Sequence, residues 1–256
     1  MSESTPKNEG VRSVKTAFAI IETVKETDGI GITAIADELG IAKSTVYNHL
    51  TTLKKCGYVV RVDDTYELGL QFLDLGYHAR SRHRLYDVAK PEIDSFVSQI
   101  GDRCQLMVRE GTKGIYIYQA SGNQAISTDS HIGTQVDLHA TAVGKVYLAH
   151  LSDAELEALL DQVKLTAVTD NTITDRSALE ENFEQIREQG YALNDEERIL
   201  GMRAVGAPIQ SEDETVLGAL SVSGPTTRLN GERYRNELPE SLLQIARVIG
   251  IRATYP

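Results

Sequence analysis

The sequence predicts two domains: a small N-terminal domain of three helices followed by a two-stranded hairpin, and a larger C-terminal α+β domain. Three observations support this prediction. The chain has 256 residues, more than one average domain and enough for two hydrophobic cores. Within residues 11–68 the apolar spacing changes from the helical to the extended period. Beyond residue 88, strands predicted in hairpin pairs occur with separate helices, which is typical of an α+β domain.

Three helices are expected in the N-terminal domain, over residues 13–26, 34–39 and 43–56. Ser13 and Thr33 are the expected N-caps of the first two, since their side-chain oxygens can accept hydrogen bonds from free backbone N–H groups. Gly40 and Gly57 are expected to end the second and third. The segment 30–32 is expected to form a short strand between the first two helices.

Two extended segments, residues 58–62 and 65–68, follow the third helix and are joined by the turn residues Asp63 and Asp64. Three helices with such a hairpin form a winged helix-turn-helix, which we assign to residues 11–68. Residues 1–10 are polar and are expected to form a disordered tail.

The polar face of the third helix has the composition of a helix that enters the major groove of double-stranded DNA. Asn48 could bond an adenine edge, and threonine methyls could contact thymine methyls. A solvated helix face would look similar, so the helix-turn-helix context favours DNA contact. The candidate base-contact residues are Lys43, Ser44, Thr45, Tyr47, Asn48 and Thr51. The candidate phosphate contacts are Lys54, Lys55 and Arg61.

Residues 69–87 are expected to form a linker helix that pairs with a second subunit. Apolar residues near its start could form such a contact, and a basic cluster follows at residues 80–84. The alternative is a charged, exposed linker. The sequence leaves open whether the basic cluster contacts DNA.

The C-terminal domain, residues 88–256, is predicted to combine two hairpins with separate helices. Ser152 and Glu155 match a capping box at the start of one helix. The predicted helices cover residues 86–100, 140–150, 152–162, 176–189 and 238–252. The hairpins pair residues 104–108 with 115–119 and residues 203–210 with 216–223.

The net charge is −11, and the acid excess lies mainly in the C-terminal part. Residues 1–80 contain 9 Lys+Arg and 11 Asp+Glu, so the N-terminal domain is nearly balanced. An acidic surface is an adaptation to a halophilic source, although ordinary acidic proteins reach the same charge. No apolar run is long enough to span a bilayer, and the distant Cys56 and Cys104 indicate a reducing cytoplasm.

Enzyme signatures are weak in this sequence. Gly144 and Lys145 resemble part of a phosphate-binding loop, but the earlier glycine and the following Ser or Thr are missing. The acidic run 195–197 is more typical of a helix cap than of a metal centre. His131 and His139 are isolated and more typical of ordinary histidines. We therefore expect no catalytic site, no metal and no cofactor.

Five stretches of the chain resemble the IclR family of transcriptional regulators, and together they cover nearly its whole length. They are LGIAKSTVYNHLTTLKKCGYV (residues 39–59), YELGLQFLDLG (66–76), LHATAVGKVYLAHL (138–151), TDNTITDRSALEENFEQIREQGYALNDEERILGMRAVGAPI (169–209) and ALSVSGPTTRL (219–229). The resemblance implies a DNA-binding regulator whose C-terminal domain has a GAF-like sheet and binds a small effector on one face.

The resemblance also implies which residues line the effector site. Carried over by matching motif, they are Ala125, Thr128, Val136, Ala142, Val143, Asn194, Met202, Ala204, Ser221 and Ser223. The N–H groups of Ala142 and Val143, at the start of a helix, could bind a carboxylate. A solvated sheet face is the alternative for the two serines.

The chain departs from the family pattern at three places. Asn194 stands where some members have an acid, and Ala204 stands where others have a cysteine. Tyr47 and Asn48 replace a frequent His-Arg pair. Because of the first two changes, the effector of another family member cannot be assumed for this chain. The third change predicts a different operator.

The expected function is that of a sequence-specific DNA-binding regulator whose affinity for its operator is modulated by a small metabolite. A homodimer or a dimer of dimers would recognise a pseudo-palindromic operator. The alternatives are a metabolite-binding enzyme with a vestigial DNA-binding domain and a dimeric adaptor with a GAF-like domain.

Overall fold

The computed structural model describes residues 10–255. These residues form two compact units, and the boundary along the chain lies between Ala79 and Arg80. The predicted disordered tail covers residues 1–10, and its residues 1–9 lie outside the described part of the chain. Each unit has a hydrophobic core of its own, as the sequence predicted.

The first unit contains three helices, a hairpin and most of a fourth helix. The elements are α1 (Arg12–Lys25), α2 (Ile32–Leu39), α3 (Lys43–Lys55), β1 (Val59–Val62), β2 (Thr65–Leu68) and α4 (Gln71–Ser81). The two strands pair antiparallel. Ile20 of α1, Ile35 of α2 and Leu50 of α3 are completely buried in one core. The winged helix-turn-helix is therefore confirmed.

The starts of the first two helices differ from those predicted. The N-cap residue of α1 is Val11 and that of α2 is Gly31, and neither start has a side-chain capping bond. Ser13 and Thr33 lie inside the helices, so their predicted capping is wrong. Both side chains are exposed, and water can satisfy the free N–H groups at such a helix start.

The ends of the second and third helices are those predicted. Gly40 follows α2 with φ 62°, and Gly57 follows the last turn of α3 with φ 80°, a left-handed conformation that favours glycine. The short strand expected at residues 30–32 is reduced to one bridge between Ile30 and Tyr66, because α2 has already begun.

The predicted linker helix is in fact two helices, α4 and α5 (Arg84–Ile100). His83 lies between them in an extended conformation, with φ −90° and ψ 94°, which interrupts the helical hydrogen bonds. Because α5 begins as a separate helix, its apolar face points into the core of the second unit, where Leu85 and Ile93 are buried. In contrast, α4 has no buried residue, and its Leu73 is 68% exposed.

The second unit is built on one six-stranded sheet. Its strands are β3 (Arg103–Glu110), β4 (Lys113–Ser121), β5 (Gln135–Asp137), β6 (Ala192–Asp195), β7 (Met202–Gln210) and β8 (Val216–Pro225). Their order across the sheet is β5-β4-β3-β8-β7-β6, and all neighbours are antiparallel. The two predicted hairpins, β3–β4 and β7–β8, are confirmed. The edge strands β5 and β6 were not predicted.

Helices cover both faces of this sheet. They are α5 together with α6 (Ala142–Ala149), α7 (Asp153–Leu160), α8 (Arg176–Gln189) and α9 (Leu238–Thr254). The apolar side chains of α5 and α9 share one core, and those of α6, α7 and α8 share the other. The α+β class is confirmed, and the covered sheet is consistent with a GAF-like fold. Among residues 10–255, none of the helices combines the length and hydropathy that a bilayer crossing requires.

The start of α6 lies close to the turn that precedes it. The small-residue helix begins at Ala142, not at residue 140, because Leu138–Ala140 form a 3-10 turn. Thr141 caps the helix by accepting a 3.1 Å hydrogen bond from the Gly144 N–H. A Cβ on Gly144 would lie 2.1 Å from a carbonyl oxygen of that turn, so glycine permits this close approach. The capping box predicted at Ser152, before α7, is confirmed.

Candidate functional site

The face of α3 that points away from the core is polar and accessible. Val46, Leu50 and Leu53 hold the opposite face in the core. Within residues 10–255, the Asn48 amide has no hydrogen-bond partner, so its donor and acceptor are available. The predicted base-contact residues are all exposed or half-buried on this helix: Lys43, Ser44, Thr45, Tyr47, Asn48 and Thr51.

The predicted phosphate contacts lie at the end of α3 and on the wing. Lys54 and Lys55 are exposed in the last turn of α3. Arg61 of β1 donates to the Asp63 carbonyl at 2.9 Å and to the Asp64 carboxylate at 2.8 Å. The Asp64 side chain is 97% exposed, and such a surface pair stabilises little. Arg61 can therefore exchange this partner for a phosphate at small cost.

A cavity of about 470 Å³, including its open mouth, lies between the sheet and the start of α6. Among the described residues, the lining includes two arginines and no Asp or Glu. The lining residues are Gln105, Tyr116, Thr128, Ser130, Thr141, Ala142, Val143, Asn194, Arg198, Ile199, Met202, Arg203, Ala204, Ser221 and Ser223.

The N-terminus of α6 forms one wall of the cavity. The Thr141 hydroxyl accepts the Gly144 N–H, which leaves the N–H groups of Ala142 and Val143 without a partner in the helix. A Cβ on Gly206 of β7 would lie 2.5 Å from the Ala142 carbonyl oxygen, so glycine allows the helix start to lie against the sheet. The cavity wall therefore offers two N–H donors at the positive end of a helix.

Two largely buried residues also present hydroxyl groups to the cavity. Tyr116 is 4% exposed and Ser221 is 3% exposed, yet within residues 10–255 neither hydroxyl has a hydrogen-bond partner. Burial raises the pKa of Tyr116 to about 12, so its hydroxyl is neutral and able to donate. These two hydroxyls are thus available to a ligand.

The two lining arginines have carboxylate partners outside the lining. Arg198 donates two hydrogen bonds to Asp129, at 3.2 and 2.9 Å. Arg203 donates to Asp195 at 2.7 and 3.1 Å and to a backbone carbonyl. Each arginine side chain is less than one quarter exposed, whereas the two carboxylates are more than half exposed. In the first pair the less hydrated partner, Arg198, lies at the cavity. The Arg203 guanidinium instead lies over the Tyr234 ring, on the face of the sheet opposite Ser221 and Ser223.

A buried ion pair outside the lining connects α6 to the turn after β6, two elements that contribute residues to the cavity. Lys145 of α6 donates to the Glu197 carboxylate at 2.6 Å, and the side chains are 1% and 8% exposed. Burial lowers the pKa of Lys145 and raises the pKa of Glu197. Because Lys145 is used in this pair, it is not the free lysine of a phosphate-binding loop.

The histidines singled out in the sequence make local contacts. The His139 Nε2 lies 3.0 Å from the Thr166 carbonyl, and the His131 Nδ1 lies 2.8 Å from the Ile132 carbonyl. In the part of the chain that the structure describes, no group of three or more His, Cys, Asp and Glu residues has an arrangement that could hold a metal ion.

The cavity brings together eight of the ten predicted effector-binding residues. These are Thr128, Ala142, Val143, Asn194, Met202, Ala204, Ser221 and Ser223. Val136 is not among the lining residues, because its side chain on β5 is buried in the core around Met107 and Leu138. Ala125 is also absent from the lining and lies near the start of the loop, where its N–H donates to the Gly122 carbonyl.

Sequence reasoning missed the contribution of β3 and β4 to the lining. Gln105 lies directly opposite Ser221 in the sheet, and Tyr116 comes from the neighbouring strand. The alternation of β3 was readable, but its pairing with β8 was not. Arg198 and Arg203 lie inside the 169–209 stretch that carried the family resemblance, so that stretch contained a signal for them.

Comparison with protein families matches both units. The IclR helix-turn-helix domain matches residues 13–63, and the bacterial transcriptional regulator IclR C-terminal domain matches residues 77–251. The chain belongs to the IclR family. The resemblance drawn from the sequence is thereby confirmed: this IclR-family protein is a transcriptional regulator with a DNA-binding helix-turn-helix domain and a C-terminal effector-binding domain.

Individual IclR-family members support the same conclusion. The chain is 34% identical to the probable HTH-type transcriptional regulator ArcR of Halobacterium salinarum, with 94% of each chain covered. It is 31% identical to the Thermotoga maritima IclR structure, with a TM-score of 0.81 and 95% and 99% of the two chains covered. An IclR homolog from Microbacterium hydrocarbonoxydans, complexed with 4-hydroxybenzoate, shares the fold at 23% identity, with a TM-score of 0.78 and coverage of 94% and 99%.

Proposed function

We propose that this regulator binds its operator through the exposed face of α3, and that a small organic anion in the cavity modulates its affinity for that operator. The DNA-contact residues are those of α3 and the wing. The unpartnered Asn48 amide is suited to an adenine edge. The lysines at both ends of α3 and Arg61 are suited to phosphates, which fix the register of the helix on the duplex.

The single observation that favours an anionic effector is the charge of the cavity lining. The Arg198 guanidinium and two free N–H groups at the start of α6 face a space whose described lining includes no carboxylate. Such donors stabilise a carboxylate. The hydroxyls of Tyr116, Ser221 and Ser223 could bond other polar groups of the same molecule. The 4-hydroxybenzoate of the Microbacterium homolog is a ligand of this chemistry.

Exposed apolar side chains on α1 and α4 support self-association. Val14 and Phe18 are more than half exposed on α1, and Leu73 and Tyr77 are about two-thirds exposed on α4. Such patches mark interaction sites, and a second copy of the chain would cover them. A homodimer or dimer of dimers would place two α3 helices in successive major grooves, about 34 Å apart, on a pseudo-palindromic operator. We infer that a regulator with this activity works in the cytoplasm, where its operator DNA lies.

The effector must bind two states of the regulator with different affinity, because a ligand shifts an equilibrium only by that difference. The start of α6 and the turn after β6 are joined by the pair of Lys145 and Glu197. An anion bound between these elements would change their spacing. That change is the local event that would alter operator affinity.

Fluorescence anisotropy on labelled DNA tests the DNA-binding part of the proposal. The full chain is titrated against its own upstream intergenic DNA and against random DNA of equal length, over a range of salt. We expect a preference for the upstream DNA of about a thousandfold or more and a linear loss of log affinity with log salt. No preference at any salt, with or without small carboxylates, would contradict the proposal.

An enzymatic role is the alternative that the cavity chemistry supports least. Three acidic residues that are next in sequence to lining residues, Asp129, Asp195 and Glu197, are all engaged in ion pairs. We infer that the cavity binds its ligand without converting it. Recovery of unchanged ligand after prolonged incubation is expected, whereas turnover in the absence of DNA would favour the enzyme.

A further inference from the structure

Arg198 occupies a fixed position at the rim of the cavity. It lies in the turn between β6 and β7, where Glu196 and Gly201 adopt positive φ values of 62° and 79°. The Gly201 N–H donates to the Glu196 carboxylate at 2.6 Å, which closes the turn on itself. The guanidinium of Arg198 is therefore presented by a constrained turn, and it is also part of the cavity lining.

Asp129 lies on the facing wall, in the segment between β4 and β5. Its two neighbours, Thr128 and Ser130, both line the cavity. Arg103 holds this segment by donating to the Thr128 hydroxyl and, at 2.7 Å, to the Ile126 carbonyl. The two hydrogen bonds from Arg198 to Asp129 consequently join two walls at the mouth of the cavity.

The environment of this ion pair is asymmetric. The Arg198 side chain is 21% exposed, and the Asp129 side chain is 68% exposed. An ion pair with a well-hydrated partner stabilises little, whereas a charge-assisted bond inside a less hydrated cavity is stronger. The charge of Arg198 lowers the pKa of the Tyr116 hydroxyl and the charge of Asp129 raises it, so both charges act on a group that lines the cavity.

We propose that Arg198 is the counter-ion of the effector and that Asp129 is the partner it gives up. In the free protein the guanidinium bonds Asp129 across the mouth. When an anion fills the cavity, the guanidinium bonds the anion instead, and Asp129 returns to water. Arg198 is thus a residue that determines specificity for charge. This inference rests on the proposed function, because it requires the cavity to be the effector site.

Matched acids and amides separate charge recognition from general binding. The full chain and its variants are titrated calorimetrically with acetate, lactate, benzoate and 4-hydroxybenzoate, and with the primary amide of each. The variants are Arg198→Gln, which removes the counter-ion, and Asp129→Asn, which removes its competitor. Arg176→Gln is the control, since this arginine also bonds carboxylates but lies on α8 outside the cavity lining.

The expected changes have opposite signs in the two variants. Arg198→Gln weakens binding of the best carboxylate by about tenfold or more, the effect of a lost charge-assisted bond. Asp129→Asn strengthens it by up to about fivefold, the free energy of an exposed ion pair. The amides change less than twofold in either variant, and Arg176→Gln changes neither ligand class.

Three results would overturn the inference: no carboxylate binds better than its amide, Arg198→Gln weakens acid and amide equally, or Asp129→Asn weakens the acid. Operator binding measured on the same samples distinguishes this failure from failure of the proposed function. Intact operator binding with charge-independent ligand affinity would refute only the role of Arg198. Absence of operator preference in the unmodified chain would refute the proposed function.

Discussion

Substitution of Lys145 by methionine tests the ion pair that joins α6 to the turn after β6. Lys145 Nζ lies 2.6 Å from a Glu197 carboxylate oxygen in an almost completely buried site. Within residues 10–255, the second carboxylate oxygen of Glu197 has no hydrogen-bond partner. Methionine keeps most of the aliphatic volume of lysine but lacks the charge. The variant would therefore leave one uncompensated carboxylate in the core.

The expected magnitude follows from two opposing effects. Two unit charges about 4 Å apart attract by about 4 kcal/mol at an effective dielectric constant of about 20. Burial opposes this attraction, and it is the largest influence on the pKa values of both residues. The ion pair therefore contributes about as much to the free energy of unfolding as an apolar pair of similar volume would. Loss of one partner lowers the free energy of unfolding by about 3–5 kcal/mol, whereas Lys145→Met with Glu197→Leu restores it to within about 1 kcal/mol.

Urea unfolding followed by far-UV circular dichroism measures this double-mutant cycle. The pKa of Glu197 is raised above its usual 4.5 in the folded state. Lys145 lowers this pKa, so the pKa of Glu197 is higher still in the Lys145→Met variant. The cost of the substitution is present above the folded pKa of the variant and shrinks as the pH falls through it, since the carboxyl becomes neutral. An equal loss in the single and double variants, or a deficit that does not narrow as the pH is lowered, would refute the reasoning.

Three further predictions follow from the sites described. Asn48→Ala should lower operator affinity by about 1–3 kcal/mol if the amide reads a base, measured by anisotropy with Asn236→Ala, in the C-terminal unit, as the control. Tyr116→Phe should weaken effector binding by about 1–2 kcal/mol without lowering thermal stability, because the hydroxyl has no partner in the described protein. Tyr118→Phe is the matched variant, because it removes a hydroxyl bonded to an aspartate. It should lower thermal stability and leave effector binding unchanged. Asp102→Asn should lower the free energy of unfolding by about 2–4 kcal/mol, because this completely buried carboxylate accepts hydrogen bonds from two arginines.

Each of these predictions has a contradicting outcome. Unchanged operator affinity would remove Asn48 from the contacts. A stability loss in Tyr116→Phe, with ligand affinity intact, would make its hydroxyl structural. Native-like unfolding of Asp102→Asn would mean that its arginines are satisfied equally well by neighbouring carbonyl groups.

Local signals allowed most of the elements to be predicted from the sequence. The end of α2 at Gly40 and the capping box at Ser152 depend only on residues within a few positions. The break at His83 was missed because no glycine or proline marks it. It arises from packing of α5 on the sheet, which is tertiary information. The edge strands β5 and β6 are short, three and four residues, and carry too little periodicity to be read.

The same distinction holds for the cavity. Ser221 and Ser223 share a face because strands alternate, and the family motif identified the start of α6. Gln105 and Tyr116 join them only because β3 pairs with both β8 and β4, and this pairing is non-local. Val136 was wrongly predicted to line the cavity, because the orientation of its side chain also depends on strand pairing. It follows the loop in sequence, but its strand turns the side chain into the core.

Operator binding by a cavity-filled variant tests the central claim most directly. Ala204→Leu narrows the cavity, and Ala158→Leu, exposed on α7, is the matched control. Anisotropy titrations on operator DNA are made with and without the carboxylate that binds most tightly. We expect the ligand to change operator affinity about 5- to 150-fold in the unmodified chain and the control, and to have no effect on Ala204→Leu, which still binds operator. An undiminished ligand response in Ala204→Leu would contradict the claim that this cavity controls DNA binding.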